Sequence, residues 1–328
     1  MVEMKEYIIK KIIYAVVVLY IIATLNFLIF QVLSPLDPTK MMIDPRWGLE
    51  ERELLRKLWG LDQPIHIRYI KYIQNMFTFQ FGRSFLSQEL VIDDIMWRLP
   101  NTILLLGTAF VLRVLLGVTL GVLAASRRGK KLDVLTIGTG LFTWSAPTFF
   151  IQLLFLLVFC GYLRWFPFGG MYPPGEPPKD PFVYAATVLH HMTLPVVTLV
   201  LAGFGSWALY SRNIMLECLT QDYIITARAK GLSERAVLFG HAFRAMLPPV
   251  VTMVALNLPY IITGAIITEY VFTWPGIGRW FLSSMLSGDY PSVQALLFIF
   301  AILMIGANFI ADLLYGFLDP RIRVGVRR

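Results

Sequence analysis

Six stretches of this chain carry almost no charge and are long enough, or nearly so, to cross a lipid bilayer. Ile12–Leu33, Val134–Leu163, Met246–Thr268 and Ser292–Ala311 have none; Thr193–Tyr210 is shorter and also has none; Asn101–Ser126 is interrupted only by Arg113. At the α-helical rise, Ile12–Leu33 spans roughly 33 Å, slightly more than the hydrocarbon layer. Apolar runs of this length belong in lipid. Only 15% of the 328 residues are charged, against about a quarter in a soluble domain. The expected fold is therefore an all-α membrane protein with six transmembrane helices. The first run is longer than the apolar region of a signal peptide, and "LSPLDPT" after it offers no small-x-small cleavage site, so it reads as an anchor that stays.

A net charge of +8 raises the question of nucleic acid. The distribution of the charge answers it differently. Lys5, Lys10 and Lys11; Arg127, Arg128, Lys130 and Lys131; Arg212, Arg228, Lys230, Arg235 and Arg244; and Arg321, Arg323, Arg327 and Arg328 all fall on one side of the successive spans. The short loops on the other side carry only Arg164, Lys179 and Arg279. That bias places both termini in the cytoplasm of a multi-pass cell (plasma or inner) membrane protein, with no nucleic acid as partner. Cys160 and Cys218 fall on opposite sides of the bilayer and read as packing residues, too far apart for a disulfide.

The spacing divides the chain into an anchor over 1–34, an outer segment over 35–98, a core over 99–318 and a basic cytoplasmic tail over 319–328. The expected core spans are about 101–126, 134–163, 191–211, 246–269 and 292–314. In the outer segment "LEERELLRKLWG" reads as a short helix closed by Gly60. After Pro64, the residues Ile70, Ile73 and Phe77 recur at helical spacing, on a face that lies on the bilayer or docks a soluble partner. The second and third spans meet in the basic turn "SRRGKKLD". The third and fourth are joined by "RWFPFGGMYPPGEPPKDP", too rich in Pro and Gly for regular structure. His190 and His191 do not share a helix face, and interfacial packing is favoured over a metal site.

Pro248, Pro249 and Pro259 interrupt the fifth span, with Asn257 and Thr263 nearby. Proline frees backbone carbonyls that a water-lined cavity or a neighbouring helix must satisfy. Arg113 is a charge near the middle of the second span, expensive there unless it serves a purpose. Arg113, Asn257, Pro259 and Thr263 are thus the candidate solute-pathway residues. There is no G-x-x-x-x-G-K-[ST] loop, no H-E-x-x-H and no G-x-S-x-G, so the chain is not expected to be an enzyme, to bind a cofactor directly, or to hold a metal.

Over thirty polar-rich residues at 213–247 separate two spans where a short turn would suffice. Asp222 can cap a helix over Tyr223–Lys230, Gly231 suits its left-handed end, and Ser233 can cap a second helix from Glu234. Ile225, Ala229, Leu232, Ala236, Phe239, Phe243 and Met246 step by four and three, an oily face for the membrane helices. Arg228, Lys230, Glu234 and Arg235 face the cytoplasm, and Ala227, Ala229 and Gly231 keep the turn thin. A rigid elbow for a cytosolic partner is the stronger reading over a solvated loop. Spans on both sides exclude a DNA-binding helix-turn-helix.

"ARAKGLSERAVLFGHAFRAMLPPVV" resembles the cytoplasmic loop of ATP-binding-cassette importer permeases, in particular the B-type subunit of the dipeptide, oligopeptide and nickel group. Ala227, Gly231 and Leu247-Pro248 keep the family pattern. Ile225 and Thr226 stand where the general pattern has Glu-Ala, and the Leu-Pro arrives four residues late; both departures fit that group. "GLDQPIHIRYIKYIQNMFTFQFGRSF", "VFTWPGIGRWFLSSMLSGDYPSVQ" and "DLLYGFLDPRIR" resemble the group's outer segment, last outer loop and carboxyl end. The resemblance implies the type I importer permease fold and half of a translocation pathway for peptides, or for oligosaccharides or nickel. It implies a second homologous permease in a heterodimer, one or two ATPase subunits holding ATP and Mg, and an extracytoplasmic substrate-binding protein. It also implies that Asp222, Tyr223, Thr226, Ala227, Arg228, Ala229, Lys230, Gly231 and Leu232 form the helix that couples to the ATPases. A gated channel would need no such helix. A secondary transporter would need ion-coupling carboxylates within its spans, which are scarce apart from Glu269, and no clear internal repeat is present. A scaffold would move no solute.

Overall fold

The computed structural model describes residues 2–33, 62–259 and 266–318, and these are predominantly helical. The expected helix over Leu49–Gly60, Thr263 and the tail from Asp319 lie outside them. In chain order the helices are α1 (Val2–Phe27, continued as a wider π turn over Leu28–Leu33), α2 (Ile65–Phe77), α3 (Val91–Ser126), α4 (Lys131–Ser145) and α5 (Thr148–Phe155). Then come α6 (Pro181–Leu219), α7 (Asp222–Ala229), α8 (Phe243–Asn257, entered through a π turn over Ala236–Ala242), α9 (Ile266–Val271), α10 (Ile277–Leu286) and α11 (Tyr290–Leu318). Among the described residues, five runs are long and apolar enough to cross a membrane: Ile8–Leu33, Val91–Ser126, Pro181–Leu219, Ala236–Asn257 and Tyr290–Asp312. A sixth crossing is formed when Lys131–Ser145 and Thr148–Tyr162 are taken together.

That third span was expected to be continuous, and instead it bends by 98°. Ala146 (φ −76°, ψ 135°) and Pro147 (φ −58°, ψ 126°) are both extended at the break. Proline cannot donate to the helical ladder and its ring disfavours helix at the preceding residue. Other helices overrun their expected limits. α3 begins at Val91 and passes through the boundary expected at 98/99 with Pro100 inside it. α6 begins at Pro181, because the Asp180 carboxylate accepts from Phe182 N at 2.8 Å and Val183 N at 3.0 Å. Apolarity decides what can lie in lipid; caps decide where a helix starts.

The chain forms two compact units, residues 1–101 with 276–309, and residues 102–275 with 310–328. In the first, Phe27 packs edge-on against Tyr69 at 5.2 Å, and Thr24 Oγ1 and Tyr69 Oη share a 2.8 Å hydrogen bond. Tyr72 and Met76 are the buried positions of α2, while Ile70 is 63% exposed. Ile70 and Phe77, of the face expected to meet the bilayer or a partner, stay exposed, and α2 turns Tyr72 and Met76 to the hydroxyl and ring partners on α1 instead. Asn26 Nδ2 donates to Gln294 O at 2.9 Å. Asp289 is fully buried before α11 and accepts from Ser84 Oγ at 2.6 Å, Phe85 N at 2.9 Å and Ser292 Oγ at 2.7 Å, which fastens the outer loop.

In the second unit α6 is the shared wall. A Cβ on Gly121 of α3 would lie 2.5 Å from Ala208 O, and one on Gly117 would lie 2.9 Å from Phe204 O. On another side of α6, a Cβ on Gly205 would collide with Gly140 O of α4. Lipid offers no hydrophobic reason for helices to associate, so close backbone approach through small residues supplies the contact. The pair is fastened at its cytoplasmic end, where Arg212 of α6 forks onto Asp133 of α4, with Nη2–Oδ2 at 2.9 Å. Asp133 also accepts from Gly129 N at 2.8 Å and so shapes the basic turn.

Glycine to alanine inside a helix ordinarily stabilises, by about 1 kcal/mol. Gly205→Ala should do the reverse, lowering the detergent unfolding temperature by several degrees. Gly138→Ala on α4, where a Cβ meets nothing within 4 Å, should not lower it.

Candidate functional site

The segment after α6 folds back on the ends of the spans. α7 runs Asp222–Ala229, and Gln221, not Asp222, stands at its N-cap without a side-chain bond. Asp222 is instead the first helical residue, where its charge complements the helix dipole. Gly231 takes the left-handed conformation expected of it, φ +78°, and Leu232 N returns to Ala227 O at 3.4 Å. Ser233 Oγ accepts from Ala236 N at 3.4 Å, a long bond at the start of the next helix. Arg228 crosses the turn to Glu234, with Nε–Oε1 at 3.0 Å. Both partners are substantially exposed, so the pair sets geometry more than stability.

The oily face is the expected one only at its end, at Met246 and the partly buried Phe243. Ile224, Ala227, Val237, Ala242 and Met246 are buried together with Val122 and Ala125 of α3 and Met215 of α6. Ile225 is 58% exposed, Phe239 49% and Leu232 41%. Two causes shift the register. α7 is turned so that Ile224 and Ala227, three apart, point inward, and the π turn over Ala236–Ala242 inserts extra residue length into the helix that follows. The result is an elbow seated on α3 and α6 that leaves Tyr223, Ile225 and Leu232 uncovered in this chain. Arg228, Ala229, Lys230, Thr226 and Gly231 are exposed beside them, and a Cβ on Gly231 would meet nothing within 4 Å. Ala227 belongs to the seat, not to the exposed surface. Although the Tyr223 ring is largely exposed, partial desolvation, followed by the adjacent Cys218 thiol, holds its phenol above the ordinary pKa.

Deeper in the second unit a cavity of about 350 Å³ gathers Arg113, Gln152, Thr268, Gly203, Thr148 and Phe149. Arg113 lies over the Phe110 ring at 5.0 Å and against Gly203, whose missing Cβ leaves the space its Cδ and Nη1 occupy, 3.0 and 3.3 Å from that point. Its Nε is buried with no hydrogen-bond partner. Gln152 is fully buried; its Nε2 donates to Thr268 Oγ1 at 2.7 Å and its Oε1 has no partner. Next to Thr268, Glu269 is fully buried and accepts from Thr102 Oγ1 at 2.6 Å.

Of the expected pathway residues, Arg113 reaches this cavity. Asn257 does not line it, and its Nδ2 donates to Met253 O of its own helix at 2.9 Å. Pro259 is buried outside it, and Thr263 lies outside the described residues. Gln152, Thr268 and Gly203 were missed, hidden in runs whose only legible property was lack of charge. His190 Nε2 and His191 Nδ1 hydrogen-bond Trp165 O at 3.1 Å and Gly169 O at 3.3 Å, which ties the Pro-rich loop to α6.

Comparison with known proteins bears on the whole chain. The family described as "Binding-protein-dependent transport system inner membrane component" matches residues 117–324, and its N-terminal companion family matches residues 4–106. The oligopeptide transport system permease protein AppB of Bacillus subtilis (strain 168) is 37% identical over 97% of this chain and 99% of its own length. The glutathione transport system permease protein GsiC of Escherichia coli (strain K12) is 34% identical over 98% of this chain and 99% of its own.

Ala227→Glu forces a charge into the seat of the elbow, a change of the kind that costs roughly 3–5 kcal/mol when a buried charge is left unpaired. It should lower the unfolding temperature and speed thiol labelling of Cys218, which packs at the edge of the same cluster. Ala229→Glu, on the exposed side, should do neither.

Proposed function

This chain belongs to the inner-membrane components of binding-protein-dependent transport systems, and from that premise we propose that it carries peptides and takes its driving force from ATPases docked on the Asp222–Leu232 elbow. The chain is a multi-pass permease subunit of an importer; it makes and breaks no covalent bond. What the two relatives' names mention, oligopeptide and glutathione, points to peptides ahead of oligosaccharides or nickel.

The single observation that carries the coupling is the elbow. Its buried side is locked to α3 and α6, while its outer side leaves three large apolar side chains without cover. A solvated loop would have no reason to keep Tyr223, Ile225 and Leu232 exposed, whereas an apolar-anchored interface needs them. ATP binding would close the ATPases, press the elbow and bias the spans toward one of two states, by as much as ATP's differential affinity for them. ATP and Mg belong to those subunits in this scheme. A second homologous permease would complete the path as a heterodimer, and an extracytoplasmic binding protein would deliver the solute.

Ile225→Glu with Leu232→Glu keeps the seat intact and should leave insertion and unfolding temperature unchanged. The ATPases should then be retained about ten-fold or more weakly during purification, as expected for lost interface anchors, and ATP-driven uptake should fall with them. ATPases held and peptide taken up at the wild-type rate would overturn the proposal.

A further inference from the structure

We propose that the cavity between Arg113 and Gln152 holds the carboxyl-terminal end of the peptide in transit, Arg113 taking the carboxylate and Gln152 the last backbone N–H. This rests on the reading of the chain as a peptide permease and goes beyond it by assigning the site and the end of the solute it recognises.

The inference starts from what the two side chains lack. A guanidinium offers only donors. Arg113 has no ion pair among the described residues and an unmatched Nε, although it stands near the middle of a span. From Arg113 to Ser126 is 126 − 113 = 13 residues, so it lies roughly 20 Å along the helix from the cytoplasmic end, out of reach of lipid headgroups. A charge at that depth faces a partner or a wet cavity. Gln152 is the complement. Its amide nitrogen is engaged by Thr268, so what it leaves unmatched is an acceptor, Oε1, inside a side chain with no exposure, which a solute reaches only when the limb bearing Gln152 shifts. An orphaned acceptor buried this deeply is destabilising unless something donates to it.

The cavity therefore asks for an anion and an N–H donor on one molecule. The carboxyl-terminal residue of a peptide carries both on a single α-carbon. An oligosaccharide lacks the anion, and a nickel ion is repelled by the guanidinium. A carboxylate from a neighbouring subunit would neutralise Arg113 but has only acceptors, and would leave Gln152 unmatched. The volume, about 350 Å³, admits one residue and its carboxylate and falls in the range of small-ligand sites. The elements around it are also suited to change. Gln152 sits just past the Ala146-Pro147 break, and helices interrupted in this way line solute sites in other transporters.

The test uses the assembled importer in proteoliposomes: this chain with its companion permease, ATPases and binding protein. Uptake of a labelled tripeptide is measured as the free acid and as its carboxyl-terminal amide. The binding protein is the same throughout, so its own preference cancels when the acid-to-amide ratio of Arg113→Gln is divided by that of wild type. That quotient should fall about ten- to a hundred-fold, as for loss of a charge-assisted hydrogen bond, and Arg113→Lys should restore part of it. Gln152→Leu, a neutral change that carries the test should Arg113→Gln not insert, should leave the acid-to-amide ratio alone. It should abolish the preference for a tripeptide over its analogue N-methylated at the last peptide bond. An unchanged acid-to-amide ratio in Arg113→Gln, or an unchanged N-methyl preference in Gln152→Leu, would overturn the assignment. Loss of the companion permease from an inserted Arg113→Gln complex would overturn it too, by showing that a subunit carboxylate is the partner. Wild-type proteoliposomes that take up no peptide would defeat the peptide-permease reading itself, a result distinct from uptake that ignores the carboxyl terminus.

Discussion

Close backbone contact along α6 is the constraint on which the second unit depends. In lipid an apolar side chain gains nothing by touching another helix instead of a lipid tail, so helices associate where small residues let backbones meet. α6 meets α3 at Gly117 and Gly121 and α4 at Gly205, and each contact is too tight for a methyl group. The same helix carries Gly203 beneath Arg113, Arg212 against Asp133, and Met215 under the elbow. One helix thus fixes the cavity, the basic turn and the elbow relative to each other. A residue added to α6 between Gly203 and Met215 would turn everything beyond it by about 100° and separate the cavity from the elbow.

That arrangement gives the proposed coupling a physical route. Val122 and Ala125 support the elbow and sit on the helix that bears Arg113. No chain of small adjustments is needed between them, because an unbroken helix passes a tilt along its length. α4 and α5 differ, since the 98° bend gives Gln152 a separate limb. A push on the elbow would move Arg113 and its α6 wall together, and the limb bearing Gln152, set off by the break at Ala146-Pro147, can follow by a different amount. The two halves of the cavity would then separate. A site built across such a seam binds in one state and lets go in the other, which is the differential affinity that transport requires.

The fold class was legible because lipid imposes a coarse requirement, length without charge, and six runs meet it. The elbow was legible from Gly231 and the polar interruption around it. Its orientation was not: heptad-like stepping assumes 3.6 residues per turn, and the π turn over Ala236–Ala242 breaks that count. The bend at Ala146-Pro147 was present in the sequence but outweighed by the apolar residues around it. Arg113 stood out since charge in a span is rare, whereas Gln152, Thr268 and Thr102 did not, because neutral polar residues also serve ordinary helix packing. The fifth span's prolines drew attention to Asn257, which satisfies a carbonyl of its own helix instead of facing the cavity.

A transport site must also release what it holds, and the chemistry around Arg113 bears on that. A solute caged by several cations would be held too firmly to leave. Here a single guanidinium is backed by the Phe110 ring and by a glycine, neither of which competes for its donors. Part of the solute's affinity comes from relieving two unmatched groups, and part from covering the exposed Phe149 and the apolar lining at Leu199 and Ile267. Such affinity depends on keeping water out. When the limbs part, water satisfies Arg113 and Gln152 as well as the peptide does, and the advantage of the bound solute disappears without any change in the contacts it made.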